Sequence, residues 1–336
     1  MANLHKKLYN ILKYACINAH NICSGNEVYM GLVQEILDNV STVVVGKEDV
    51  ATLMLTAMLS KGHILIEDVP GVGKTTLANA YAKTFDCSFS RIQFTPDTMP
   101  GDVIGSSIYN FETHQFEYIP GAIMGNIVLA DEINRTSPKT QASMLEAMEE
   151  GQVTVDGKKH KLPYPFVVIA TQNPISQRGT YYLPESQLDR FMMKLSAGYP
   201  DVSQSVNIVK NRISGKVVNA MENVVDVQQW CGLIEEVQKV TVKESLIQYA
   251  CECVEQTRHI DKVVLGASPR ALISWVDAAR GYAYIHGRDY CLPDDFKYLA
   301  PYVLSHRLIL KQNTGNSSEV RSIIEDVLRK VQVPVG

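Results

Sequence analysis

The stretch ILIEDVPGVGKTTLANA, Ile64 to Ala80, sets two glycines, a lysine and two threonines directly after an apolar run. Binding a phosphate needs backbone N–H groups that converge on one anion, and a side chain at the closest approach blocks it. Gly71 and Gly73 remove that obstacle, and a helix beginning near Lys74 adds the positive end of its dipole. Pro70, Gly71, Val72, Gly73, Lys74, Thr75 and Thr76 therefore read as a phosphate cradle. In such a cradle the Lys74 ammonium reaches the β- and γ-phosphates of a nucleoside triphosphate, and the Thr75 hydroxyl ligates Mg2+. The pattern G-x-x-x-x-G-K-[ST] is met except at its first position, where Asp68 stands. Its carboxylate is expected to point away from the phosphates or to bond to a local N–H, because contact between like charges is costly.

Hydrolysis needs more than a cradle. NIVLADE ends an apolar run with Asp131 and Glu132. The first is placed to hold the Mg2+ shell through water, and the second to orient and activate the attacking water. VVIATQNP ends in the same way, with Asn173 as the expected donor to that water or to the γ-phosphate, although Asn before Pro is also a plain turn former. Arg190 in LPESQLDRF and Arg270 in GASPRA suggest charge stabilisation of phosphoryl transfer, where a lone arginine elsewhere is usually a surface cation.

These residues need a scaffold that brings them to one place. HILIE, IQF, IVLA, FVVIAT and MMKL are short, nearly continuous apolar runs between His63 and Leu195. Runs of this kind predict strands covered on both faces, hence an α/β fold with a parallel five-stranded sheet. Two β-hairpins interrupt it. SIYNFETHQFEYIPG alternates around Glu112 to Gln115, and GQVTVDGKKHKLPY turns at Asp156-Gly157. Exposed aromatics on the first and Lys158, Lys159, His160 and Lys161 on the second favour a contact surface for an acidic protein or for DNA. Beyond Asp201 helical periodicity takes over, with one helix marked by Ser268 as cap, Pro269 in the first turn and Leu272, Trp275, Val276 and Ala279 on one face. The expected organisation is a helical extension over 1–30, an α/β nucleotide-binding core over 31–200 and an all-helical lid over 201–336.

Composition narrows the function classes. A formal charge of -4 over 336 residues gives no net attraction for nucleic acid. The seven cysteines lack metal-site spacing and read as buried free thiols in a reducing cytoplasm. His63, ahead of the first strand, reads as packed or hydrogen-bonded. Asn10, Lys13, Asn18, His20 and Asn21 interrupt any apolar segment at the amino terminus, which fits an amphipathic helix and not a signal peptide. No stretch is long and apolar enough to span a bilayer, so the expectation is a cytoplasmic protein without membrane insertion.

In order along the chain, VVVGKEDV, GHILIEDVPGVGKTTLA, FTPDTMPGDVIG, LADEINRTSPKTQASMLEAMEEGQVTVDG, ATQNP, LPESQLDRF and GASPRA resemble the MoxR family of AAA+ ATPases, a match from about Val43 to Leu308. The resemblance implies ATP/ADP and Mg2+ as ligands. It implies Walker A at Lys74 and Thr75, Walker B at Asp131 and Glu132, and sensor 1 at Asn173. Val44, Val45 and Gly46, up to Lys47, would border the adenine. Arg270 would be sensor 2 on the lid, acting on its own subunit's nucleotide, and Arg190 an arginine finger in the neighbour's site. The resemblance further implies a self-assembled ring, commonly a hexamer, and a client protein, often one with a von Willebrand A domain. A DNA-associated motor and a nucleotide-dependent scaffold without turnover are the alternative readings.

Overall fold

The computed structural model describes residues 25–44, 46–68, 71–172, 181, 183–215, 218, 221–311 and 317–334. Most of the expected amino-terminal extension lies outside the described residues, as do Val45, Pro70 and Asn173. Helices α1 (Gly25–Ser41) and α2 (Glu48–Leu59) lead into β1 (His63–Glu67). There follow α3 (Lys74–Thr84), β2 (Phe89–Gln93), α4 (Pro100–Ile104) and the hairpin β3 (Gly105–Asn110) with β4 (Gln115–Pro120). Next come β5 (Ile127–Asp131), α5 (Pro138–Glu150), the hairpin β6 (Gln152–Val155) with β7 (Lys158–Lys161), and β8 (Val167–Gln172). A short α6 (Glu185–Leu188) precedes β9 (Phe191–Leu195) and α7 (Val202–Ile213).

Five strands form the central sheet in the order β2-β5-β8-β1-β9, every neighbouring pair parallel. Alternation along each strand feeds two cores. Ile64, Ile66, Ile127, Leu129, Val167 and Ile169 pack on one face with α1, α2, α3 and the lid. Leu65, Val128, Ala130, Val168 and Ala170 pack on the other with Met144, Leu145 and Met148 of α5. Because successive side chains point to opposite faces, strands buried on both sides must be apolar at every position, which is the pattern read in the sequence. The edge strand β2 starts at Phe89, earlier than its apolar run, because its half-exposed positions tolerate Ser90 and Arg91. His63 accepts from Val168 N–H at 3.0 Å through Nδ1 and donates from Nε2 to the Met148 carbonyl at 3.1 Å. Burial pushes its pKa down to about 4, so it is a neutral structural group.

Both hairpins form. The second turns on Asp156 and Gly157, whose φ values of 50° and 75° fit a type I′ turn. Tyr118 of β4 stacks on His160 of β7 with ring centroids 3.7 Å apart, joining the two hairpins. The lid comprises α8 (Val227–Lys239), α9 (Glu244–Arg258), α10 (Pro269–Ile285), α11 (Pro293–Leu304) and α12 (Ser317–Lys330). One short antiparallel pair, β10 (Val263–Leu265) with β11 (Ile309–Leu310), interrupts it. Strands this short give no periodic signal in sequence. Among the described residues no helix is long and apolar enough to cross a membrane. Cys253 and Cys291 are buried, Cys87 and Cys231 half-buried and Cys251 exposed, all as free thiols.

The lid is fastened to the start of β9. Arg307, almost fully buried, donates to the Asp189 carboxylate at 2.7 Å and to the Phe191 carbonyl at 2.9 Å. Ser268, the α10 cap, donates to the same carboxylate at 2.9 Å. Removing one partner would leave a buried cation without its counter-charge. Asp189→Ala is therefore expected to destabilise the protein by about 3 kcal/mol in urea denaturation, and Arg307→Met in that background to recover part of the loss.

Candidate functional site

Parallel strands release their chains at one edge, so the ends of β1, β5 and β8 converge there. At the end of β1 the loop passes through Gly71 (φ 85°) and Gly73 (φ 89°), left-handed angles that only glycine adopts without strain. Gly73 caps α3 without any side-chain acceptor, so the first amides of α3 are not capped by its side chain. A Cβ on either glycine would project into open space, with no protein atom within 4 Å. Lys74 Nζ donates to the Asp68 carbonyl at 2.9 Å. Burial lowers the Lys74 pKa, and the carboxylates of Asp68, Asp131 and Glu132 oppose that shift, which places all three near the ammonium. Thr75 is half-buried in the first turn of α3, and Thr76 is exposed beside it.

Asp68 does not face the cradle. One carboxylate oxygen accepts from the N–H groups of Ala197 and, at 2.9 Å, Gly198. Its own N–H donates to the Gln172 carbonyl at 3.2 Å. The carboxylate thus turns away from the phosphate position, as expected, but its partners lie 129 and 130 residues on and not locally. Lys47 adds a second tie to that segment, donating to the Val72 carbonyl at 2.9 Å and the Gly198 carbonyl at 3.0 Å. Val44 is buried nearby in sequence, and the Gln204 side chain lies against Gly46 and donates to its carbonyl at 3.3 Å.

The two acids at the end of β5 are held by residues that the sequence alone did not single out. Asp131 accepts from the buried Thr171 hydroxyl at 2.6 Å and from Arg91 at 2.7 Å. Thr171 in turn accepts from the Glu132 N–H at 2.9 Å, while Glu132 sits in the left-handed region at φ 56°. That conformation is uncommon for a residue with a side chain and is concentrated at functional positions. The Glu132 carboxylate accepts from Arg135 at 2.8 Å and from Gln93 at 3.3 Å. Arg91 and Gln93 belong to β2, which the sheet order sets beside β5, with Gln93 opposite Asp131. Their role could be seen only once the strand neighbours were known. Thr75 and Asp131 offer a hydroxyl and a carboxylate, oxygen donors of the kind Mg2+ takes in small number while phosphates and water complete its shell. Among the described residues no group of three or more His, Cys, Asp or Glu could hold a metal by itself.

The arginines lie elsewhere. Arg190 donates through Nε to Glu149 at 2.9 Å, and Arg270 pairs with the other oxygen of the same carboxylate. A hydrogen bond from Arg190, and the charges of both arginines, hold the Glu149 pKa below its ordinary range. Arg190 precedes β9, whose first residue pairs with His63, the first residue of β1. It therefore stands at the sheet edge opposite the cradle, which follows the last residue of β1. Arg270, read by resemblance as serving its own subunit's nucleotide, shares Glu149 with Arg190 at that far edge.

A parallel sheet ordered β2-β5-β8-β1-β9, a glycine-rich loop before a helix, an acidic pair on the neighbouring strand and a helical lid define the fold of the AAA ATPases. Residues 63–193 match the family described as "ATPase family associated with various cellular activities (AAA)", and residues 255–327 match the AAA lid domain. The chain is 49% identical to the uncharacterised protein YeaC of Bacillus subtilis over 90% of this chain and 95% of that protein. It is 36% identical to "Chaperone MoxR1" of Mycobacterium tuberculosis over 90% of this chain and 82% of that one. The crystal structure of a putative ATPase from Cytophaga hutchinsonii superposes with a TM-score of 0.85 at 39% identity, covering 92% of this chain and 97% of that one. The chain belongs to the MoxR family of AAA ATPases.

The contacts of Asp68 predict a structural effect. Asp68→Ala would leave the amides of Ala197 and Gly198 without their charged acceptor and lower stability by about 2 kcal/mol. Thermal denaturation should show the loss while nucleotide binding persists. Unchanged stability with loss of binding would mean that the carboxylate serves the ligand directly.

Proposed function

We propose that this chain is an Mg2+-dependent ATPase that works in a ring and uses hydrolysis to remodel a protein partner. The observation that carries the reading is the parallel sheet that brings the glycine loop and Lys74, after β1, to the same edge as Asp131 and Glu132, at the end of β5. Family membership supports hydrolysis, and the name of the mycobacterial relative supports a chaperone-like role. Insertion of a metal into a client, and a von Willebrand A domain in that client, are finer forms of the same reading that rest on the resemblance.

The residues divide the work as follows. The amides from Gly71 to Thr76 and the Lys74 ammonium bind the β- and γ-phosphates, with Lys74 exchanging the Asp68 carbonyl for a phosphate oxygen. Thr75, and Asp131 through water, would hold Mg2+, which would neutralise charge on the phosphate oxygens. Glu132 takes the proton of the attacking water at its carboxylate, which requires it to part from Arg135 and Gln93. Asn173, which follows Gln172 in sequence, orients that water. Val44, Val45 and Gly46 border the adenine, and Pro70 counts with the phosphate cradle. Arg190 and Arg270 leave Glu149 to stabilise charge on the phosphates of the neighbouring subunit. Loss of phosphate reaches the segment after β9 through Val72, Lys47 and Gly198.

Two outcomes test this. In a phosphate-release assay Glu132→Gln should bind ATP and lose at least about a hundredfold in turnover, whereas Lys74→Ala should lose binding itself. Normal turnover in the Glu132 variant would remove it as the base. Arg190→Ala should be inactive alone and recover turnover when mixed with Lys74→Ala subunits, because each supplies what the other lacks. No recovery on mixing would argue against catalysis across the interface.

A further inference from the structure

Helix α7 is amphipathic in the wrong sense for a helix lying on its own core. None of its residues is buried, and the side chains turned toward the protein are the polar Gln204, Ser205 and Asn211. Val202, Val206, Val209 and Ile213, at spacings of one helical stripe, face outward at 83, 47, 57 and 81% exposure. A contiguous apolar stripe in solvent marks a contact surface.

Two observations say what covers it. The first turn of α7 touches Gly46 through Gln204, so the helix runs beside the segment proposed to border the adenine. The arginine pair stands at the opposite sheet edge, and that edge carries the complement of α7. Ile273, one turn along α10 from Arg270, is 63% exposed. Glu146, Glu149 and Glu150 are exposed at the end of α5, while Lys210 and Arg212 are exposed on the last turns of α7.

We propose that the α7 stripe is the seat for the Arg190/Arg270 edge of a second copy of this chain. The proposal rests on the reading that these arginines act across a ring interface. The contact is heterologous: one copy offers α7 and its nucleotide site, and the next offers Ile273, Glu149 and the two arginines. The ion pairs exchange as the interface closes. Arg190 and Arg270 transfer from Glu149 to the neighbour's phosphates, and Glu149 gains Lys210 and Arg212 of that neighbour as new counter-charges.

The test compares light scattering after size exclusion, with ATP and Mg2+, for the wild-type chain, Val206→Glu/Val209→Glu and Ile273→Glu. All substituted side chains are exposed, so each variant should fold with an unchanged circular dichroism spectrum. Wild type should assemble, and each variant alone should elute as a monomer with at least tenfold lower turnover. Mixed one to one, the variants should stop at a heterodimer, because only the α7 face of Ile273→Glu and the arginine edge of Val206→Glu/Val209→Glu remain intact. A wild-type monomer would overturn the ring reading and this proposal together. Wild-type rings with equally assembled Val206→Glu/Val209→Glu rings would overturn the proposal alone. Monomeric variants that give no heterodimer would assign the stripe to another surface. Unchanged assembly, with a stability loss matched by deleting residues 1–24, would assign it to the chain's own amino terminus.

Discussion

Parallel strands covered on both faces release their chains at a single edge, and the glycine loop and the acidic pair meet because of that constraint. β1 delivers the glycine loop, β5 the acidic pair and β8 the Thr171 hydroxyl that joins Asp131 to the Glu132 amide. No long-range folding of loops is needed to assemble the site. The strands have only to keep register, and register is enforced because a slip of one residue would send Ile64 and Ile66 into the core meant for Leu65.

Gathering charge at one edge creates a second requirement, that each charge has a counterpart whether or not phosphate is bound. Asp131 is met by Arg91, Glu132 by Arg135 and Lys74 by the Asp68 carbonyl. These contacts are strong enough to order the side chains, yet several are half-exposed and can be exchanged, since surface pairs contribute on the order of 1 kcal/mol or less. Asp68 is different. It is buried and fixed on the amides of the segment after β9, so the one carboxylate within the loop's own sequence is directed away from the anion position.

The sequence made the sheet, both hairpins, the cradle and the acidic pair legible because each is written in local periodicity or contiguous spacing. HILIE and IVLA could be read as buried strands without knowing their neighbours, and Asp156-Gly157 announces its own turn. What stayed hidden depends on pairing between distant elements. Arg91 reads as a surface cation until β2 is placed against β5, and Thr171 as one more β-branched residue until its hydroxyl is found between two acids. The partners of Asp68 lie in a loop that no local rule connects to it. Which edge Arg270 occupies shows only in the Glu149 carboxylate that it shares with Arg190.

That shared carboxylate also explains how two arginines on different parts of the chain stay in step. Asp189 and Arg190 are adjacent in sequence. Asp189 holds Arg307 and the α10 cap Ser268, which lies two residues before Arg270, while Arg190 and Arg270 meet on Glu149. One dipeptide at the start of β9 therefore sets the lid and both cations against the same strand. A lid hinged freely on the core would place Arg270 independently of Arg190, and holding the two side by side would cost the entropy of ordering each. With the buried Arg307 locking the two halves together, that order is already imposed within the subunit.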